Sequence, residues 1–162
     1  MRRCFAMILA TASIIIPGQP ASAQPAAITR QCLNALRERA SAADGVTPIN
    51  PGIMRRLGIP RNAAYPTRRT GFADADGTRI ALAVGPENPP RMLLARETAQ
   101  PGAGFATSRI WLMDRNGNLI AAVFVAYGQA QVLNIRAPAV RAAFAVEWSR
   151  LAAWGRTQGV CT

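Results

Sequence analysis

Two cysteines, Cys32 and Cys161, stand near the two ends of the part of this chain that reads as foldable. If they pair, the fold must bring its first and last elements together. Whether they pair depends on the redox compartment, and the amino terminus bears on that. Arg2 and Arg3 form a short basic start, Phe5 to Ile16 is an apolar run, and Pro17-Gly18 breaks it. Ala21-Ser22-Ala23 follows, the small-x-small pattern that signal peptidase cleaves. The pattern predicts a signal peptide over 1–23 and a mature chain over 24–162. The apolar run is too short for the roughly 30 Å hydrocarbon core of a bilayer, which takes about 20 residues, and no later stretch reaches that length. The expectation is a soluble protein exported to the periplasm or secreted, with no transmembrane segment. Arg2-Arg3-Cys4-Phe5 resembles the twin-arginine export signal, but no Ser or Thr precedes the pair, so ordinary secretion with a basic start is the plainer reading.

Export gives the cysteines their meaning. Cys4 falls in the signal segment, and an even count in an oxidising compartment reads as a disulfide, here Cys32 to Cys161. Removing the first 23 of 162 residues leaves 139, enough for one domain with one core.

The residue inventory excludes several chemistries. The chain has no histidine, which removes the Ser-His-Asp and Cys-His arrangements and every histidine-ligated metal site. No Cys-x-x-Cys pair, nucleophile elbow, Walker loop or dinucleotide fingerprint occurs. Asp74-Ala-Asp76-Gly77-Thr78 and Asp114-Arg-Asn116-Gly117-Asn118 each resemble half of a calcium loop, but the twelfth positions are Gly85 and Val125, not glutamate. Both read as hairpin turns. No catalytic residue, cofactor or metal is therefore expected. A hydrolase working with carboxylates alone, through Asp74, Asp76, Glu87, Glu97, Asp114 and Glu147, is the enzymatic alternative.

All 19 basic residues are arginine against 8 acids, for a net charge of +11. Only Arg55-Arg56 and Arg68-Arg69 are adjacent in the predicted mature chain, so no basic stripe or stacking motif points to nucleic acid. The charge implies at most a weak attraction to an anionic envelope surface.

Residues 28–40 read as a helix with Cys32, Ala35, Leu36 and Ala40 on one side. Residues 46–70 are Pro-rich, with one helical turn after Asn50-Pro51 inside a long crossover. Six candidate strands follow, near 68–73, 78–84, 91–97, 107–113, 119–126 and 130–135. Asn116-Gly117 predicts a type I′ hairpin in which Arg109, Trp111 and Met113 oppose Phe124, Ala122 and Ile120 on one side. Ile110, Leu112, Val123 and Val125 make the other, aliphatic side. Residues 138–154 form the strongest helix, ended by Gly155 and apolar nearly all round, which implies burial on two sides. The predicted fold is α+β: an antiparallel meander of about five strands with the N- and C-terminal helices packed on one face and the termini tied by Cys32–Cys161.

Two groups of residues are candidate binding determinants. Glu147 falls within about 20° of Val140 around the last helix, inside the stripe of Trp148, Leu151 and Trp154. A carboxylate there needs a cation, and the candidates are Arg150, one turn on, and Arg39, near the apolar side of the first helix. The second group is the sheet face of Arg109, Trp111, Met113, Ile120 and Phe124, whose aromatic, methionine and arginine content is that of interfaces. With the helices on the aliphatic side, this face stays open for a protein or small ligand, unless the Pro-rich segment covers it. The functional expectation is a non-enzymatic binding domain.

Overall fold

The computed structural model describes residues 28–99 and 106–162; the expected signal segment and cleavage point lie outside the described residues. Thr29 opens α1 (Arg30–Ser41), its hydroxyl accepting the N–H of Cys32 at 3.2 Å and so satisfying a donor that a helix start leaves free. Cys32, Leu33, Leu36 and Ala40 form the buried stripe. Asn50 serves α2 (Pro51–Arg56) in the same way, accepting the N–H of Gly52 at 2.7 Å. Around α2 the strands run β1 (Thr47–Ile49), β2 (Tyr65–Ala73), β3 (Thr78–Val84), β4 (Met92–Ala99), β5 (Ala106–Met113), β6 (Leu119–Ala126) and β7 (Gln129–Val132). Helix α3 (Pro138–Thr157) closes the chain.

The strands form one antiparallel sheet in sequence order, so the meander holds, with seven strands where about five were expected. The strand that sequence reasoning missed is β1. It contains Pro48, and a proline is tolerated in a strand only at an edge, the place β1 occupies beside β2.

The helices occupy the face opposite to the one expected. Helices α1 and α3 bury Leu33, Leu36, Leu151 and Ala152 against Ile80, Leu82, Leu94, Trp111, Met113 and Ala122. The aliphatic side, with Leu93, Ile110, Leu112 and Val123, is covered by Ile49, Met54, Leu57, Ile59 and Tyr65 from the Pro-rich segment. Neither face of β5 is open, which explains why both sides of that hairpin are apolar.

The turn chemistry also differs. Gly117 has φ +84°, but Asn116 does not adopt positive φ, so Asn116-Gly117 is not a type I′ turn. Asp114 accepts the backbone N–H groups of Asn116 at 2.8 Å and Asn118 at 2.9 Å, which holds the turn right-handed until Gly117. Gly77, with φ +79°, ends the same Asp-x-x-Gly turn between β2 and β3. The type I′ signature sits instead at Tyr127 and Gly128, both at positive φ between β6 and β7. In consequence the register slips by one at the start of β6. Leu112 pairs with Ala121 and Met113 with Leu119, leaving Ile120 as the extra residue of a bulge.

Cys32 and Cys161 form a disulfide that ties α1 to the segment after α3, with Cα atoms 4.5 Å apart. Gly155, expected to end α3, lies inside it; a Cβ there would come within 2.6 Å of Cys161 Sγ. The glycine that does end the helix is Gly159, at φ +67°. The back of α3 is not a second buried side. Ala142, Val146 and Ala153 are exposed, their small size letting an apolar surface face water. Among the described residues no helix is long and apolar enough to cross a membrane.

Candidate functional site: a cleft beside a buried carboxylate

Strand register sets two neighbouring rows on the helix-covered face. One runs Ile80, Arg96, Arg109, Phe124 across β3 to β6, and the next Leu82, Leu94, Trp111, Ala122. Two arginines therefore stand side by side on adjacent strands, where like charges repel. Helix α3 answers them with Glu147, which is 3% exposed. Its Oε1 accepts from Arg109 Nη1 at 2.9 Å and lies 3.6 Å from Arg96 Nη1; its Oε2 accepts the indole N–H of Trp111. A carboxylate taken out of water is tolerable only with such donors around it. Arg96 Nε is buried without a partner of its own.

Aromatic rings wall in this cluster. Phe144 meets Trp111 edge-on at 5.7 Å between centroids and stacks on Trp148 at 6.3 Å. Beside the cluster, between the start of α3 and the sheet, lies a cleft of about 300 Å³ lined by Arg109, Trp111, Phe124, Leu133, Ala139, Val140 and Ala143. Arg109 is its one charged wall. Its side chain is a little over one-third exposed, so it reaches both Glu147 and solvent.

Of the residues singled out from sequence, Arg109, Trp111 and Phe124 share this cleft, and Glu147 closes its inner end through Arg109 and Trp111. Trp111 is fully buried, at 0% exposure, and Met113 is buried in the core, so the open binding face expected there does not exist. The physical reason is Glu147: it gives the helix face a partner for the arginine heads and the indole N–H, which an aliphatic face would not have needed. Ile120 is 49% exposed on its bulge, away from the cleft. Trp148 lies against the turn at Gly117, and Trp154 stacks on Phe72 with Arg39 over its ring at 5.5 Å; neither joins the cleft. Arg39 and Arg150, the expected partners of Glu147, are thus engaged elsewhere, Arg150 with Asp74.

Sequence reasoning missed Arg96, Leu133, Ala139, Val140 and Ala143 as neighbours. The available signal was Arg96 itself, which alternates in phase with the buried Met92 and Leu94 of β4. An arginine on the inward face of a strand calls for a buried acid.

Several other carboxylates are engaged away from the cleft. Glu97 lies 2.7 Å from Arg69, and Glu87 accepts from Arg61 and the Tyr65 hydroxyl. Burial alone would raise the pKa of Glu87, but hydrogen bonds from Tyr65, the backbone and Arg61 outweigh it and hold the carboxyl below its ordinary value. For Asp114 likewise, the side-chain and backbone N–H groups of Asn118 and its neighbours overcome burial and lower the pKa. Among the described residues no group of three or more Asp, Glu, Cys or His side chains converges as a metal site would require. Compared with known proteins, the chain matches no family model, no curated protein and no solved structure.

Proposed function

We propose that this chain is an exported, non-enzymatic binding domain whose ligand is a small molecule held in the cleft between β5, β6 and the start of α3. The observation that carries this reading is the lining: six apolar side chains and a single arginine around about 300 Å³. Small-ligand sites have this composition, mostly apolar with few polar groups to set orientation. Export rests on the basic start, apolar run and Ala21-Ser22-Ala23, and a disulfide fits an oxidising compartment.

A binding role is favoured over hydrolysis by carboxylates. Asp74, Glu87, Glu97 and Glu147 are each bound to arginine, and Asp114 is held by turn N–H groups. Hydrolysis by carboxylates alone needs two acids converging on one cleft, and none of these five is among the residues that line it.

Chemical-shift mapping with 1-octanol tests the reading. Saturable shifts at the Trp111 indole, Phe124 and Val140 are expected. Absence of any shift there at millimolar octanol would overturn it.

A further inference from the structure

We infer that the ligand of this cleft is an amphipathic monoanion, a carboxylate with a short apolar tail, whose head is taken by Arg109. The inference rests on the reading of the cleft as a binding site and goes beyond it to the chemistry of the ligand. Its basis is the charge count of the inner end. Arg96 and Arg109 are cross-strand neighbours, and both point at one carboxylate, Glu147. The trio therefore carries one positive charge in excess. Of the two arginines, only Arg109 lines the cleft.

The geometry provides for an exchange of partners. When an anion enters, Arg109 can turn its guanidinium toward it, since the planar fork of arginine suits a carboxylate. Glu147 is not stranded by this. It keeps the indole N–H of Trp111 on Oε2 and Arg96, 3.6 Å away, on Oε1. Arg96 is in this sense a positioning residue. Its buried Nε has no hydrogen-bond partner, so its guanidinium is not fully engaged by Glu147. The same arrangement selects charge type. Glu147 stays beside the site, so a second negative charge on the ligand would be repelled, and a monoanion matches the single surplus cation. The tail then lies along Phe124, Leu133 and Val140.

Isothermal titration calorimetry with octanoate and 1-octanol, equal in chain length and differing in charge, is the test. Both are run on the full mature chain and on Arg109→Met, which keeps an apolar stem. Octanoate is expected to bind the unaltered protein roughly 10- to 100-fold more tightly than octanol, the range a charge-assisted hydrogen bond provides, with the difference lost in Arg109→Met. In the unaltered protein, octanoate should also shift the Trp111 indole N–H well beyond the shift that octanol causes, because Arg109 leaves its shared acceptor; this readout needs no variant to fold. Equal affinity for octanoate and octanol would overturn the monoanion while leaving the cleft as a binding site. Binding of neither would remove the cleft reading, and the inference with it.

Discussion

The indole N–H of Trp111 on β5 donates to the Glu147 carboxylate on α3, so a fully buried tryptophan and a buried acid each solve the other's desolvation. This contact fixes which face of the sheet takes the helices. Trp111 needs an acceptor, Arg96 and Arg109 need an anion, and α3 delivers all three requirements through one side chain. The Pro-rich segment, which offers Ile49, Met54 and Leu57, is left for the purely aliphatic face.

Removal of either partner should therefore be costly, and unequally so. Glu147→Ala leaves two arginines and an indole facing an apolar void and should cost about 3–5 kcal/mol, the range for breaking a buried pair. Trp111→Phe removes a single donor together with some ring volume and should cost less. Urea unfolding of both variants measures the difference. A change below about 0.5 kcal/mol for Glu147→Ala would mean that the carboxylate faces water.

The disulfide and Gly155 should behave as one unit. Reduction of Cys32–Cys161 is expected to cost about 2–5 kcal/mol, the range for losing a native disulfide from a small domain. Gly155→Ala places a methyl group 2.6 Å from Cys161 Sγ and should destabilise the oxidised protein by about 1–3 kcal/mol. Thermal melts with and without reductant separate the two terms. A chain of residues 24–162 should show no free thiol when denatured without reductant; two titratable thiols would refute the bridge.

Tyr65 and Glu87 should limit stability at opposite ends of the pH scale. Glu87 has a folded pKa below its ordinary 4.5, so the stability it lends is present above that value and is lost as pH falls through the folded value. For Tyr65, burial first and then Glu87 raise the pKa above 10.0, so its contribution is present below that value and fades as the solution becomes strongly alkaline. Glu87→Gln should flatten the acid limb of a plot of unfolding free energy against pH. Gly85→Ala, which would drive a methyl group into the Tyr65 hydroxyl, should weaken both limbs.

Gly117→Ala tests the turn that sets the β5–β6 register. At φ +84° an L-residue costs about 1–2 kcal/mol, and the new Cβ would also crowd Leu33 at 3.3 Å. Calcium should not rescue it, since the Asp114 oxygens are already accepting the N–H groups of Asn116 and Asn118 and the Asn118 side-chain amide. Calorimetric melting with and without calcium decides this.

Much of the fold was legible in the residues themselves. Helical phase put Cys32, Leu36 and Glu147 on buried faces, and turn residues marked every strand boundary from Thr78 to Leu119 within a residue or two. The failures came where a side chain overrode a local motif. Asn116-Gly117 carries the type I′ signal, but the Asp114 carboxylate imposes another turn and shifts Met113 onto Leu119. Tyr127-Gly128 lacks the usual Asn or Asp yet makes the I′ turn, because a two-residue connection between β6 and β7 admits little else. The candidate site was legible in its members and not in its setting. Arg109, Trp111, Phe124 and Glu147 were each noticed, but joining Arg109, Trp111 and Arg96 to Glu147 needed the register of β4 on β5 and the choice of face for α3, both long-range properties.

The most direct measurement is a calorimetric titration of octanoate into the mature protein and into Ala139→Phe. Ala139 is exposed at the rim of the cleft, so a phenyl ring there covers the opening without entering the core. A single saturable site in the unaltered protein, lost in Ala139→Phe at unchanged melting temperature, is the expected result. Equal binding to both proteins would contradict the account, because the ligand would then be held somewhere other than the cleft between Arg109, Phe124 and α3.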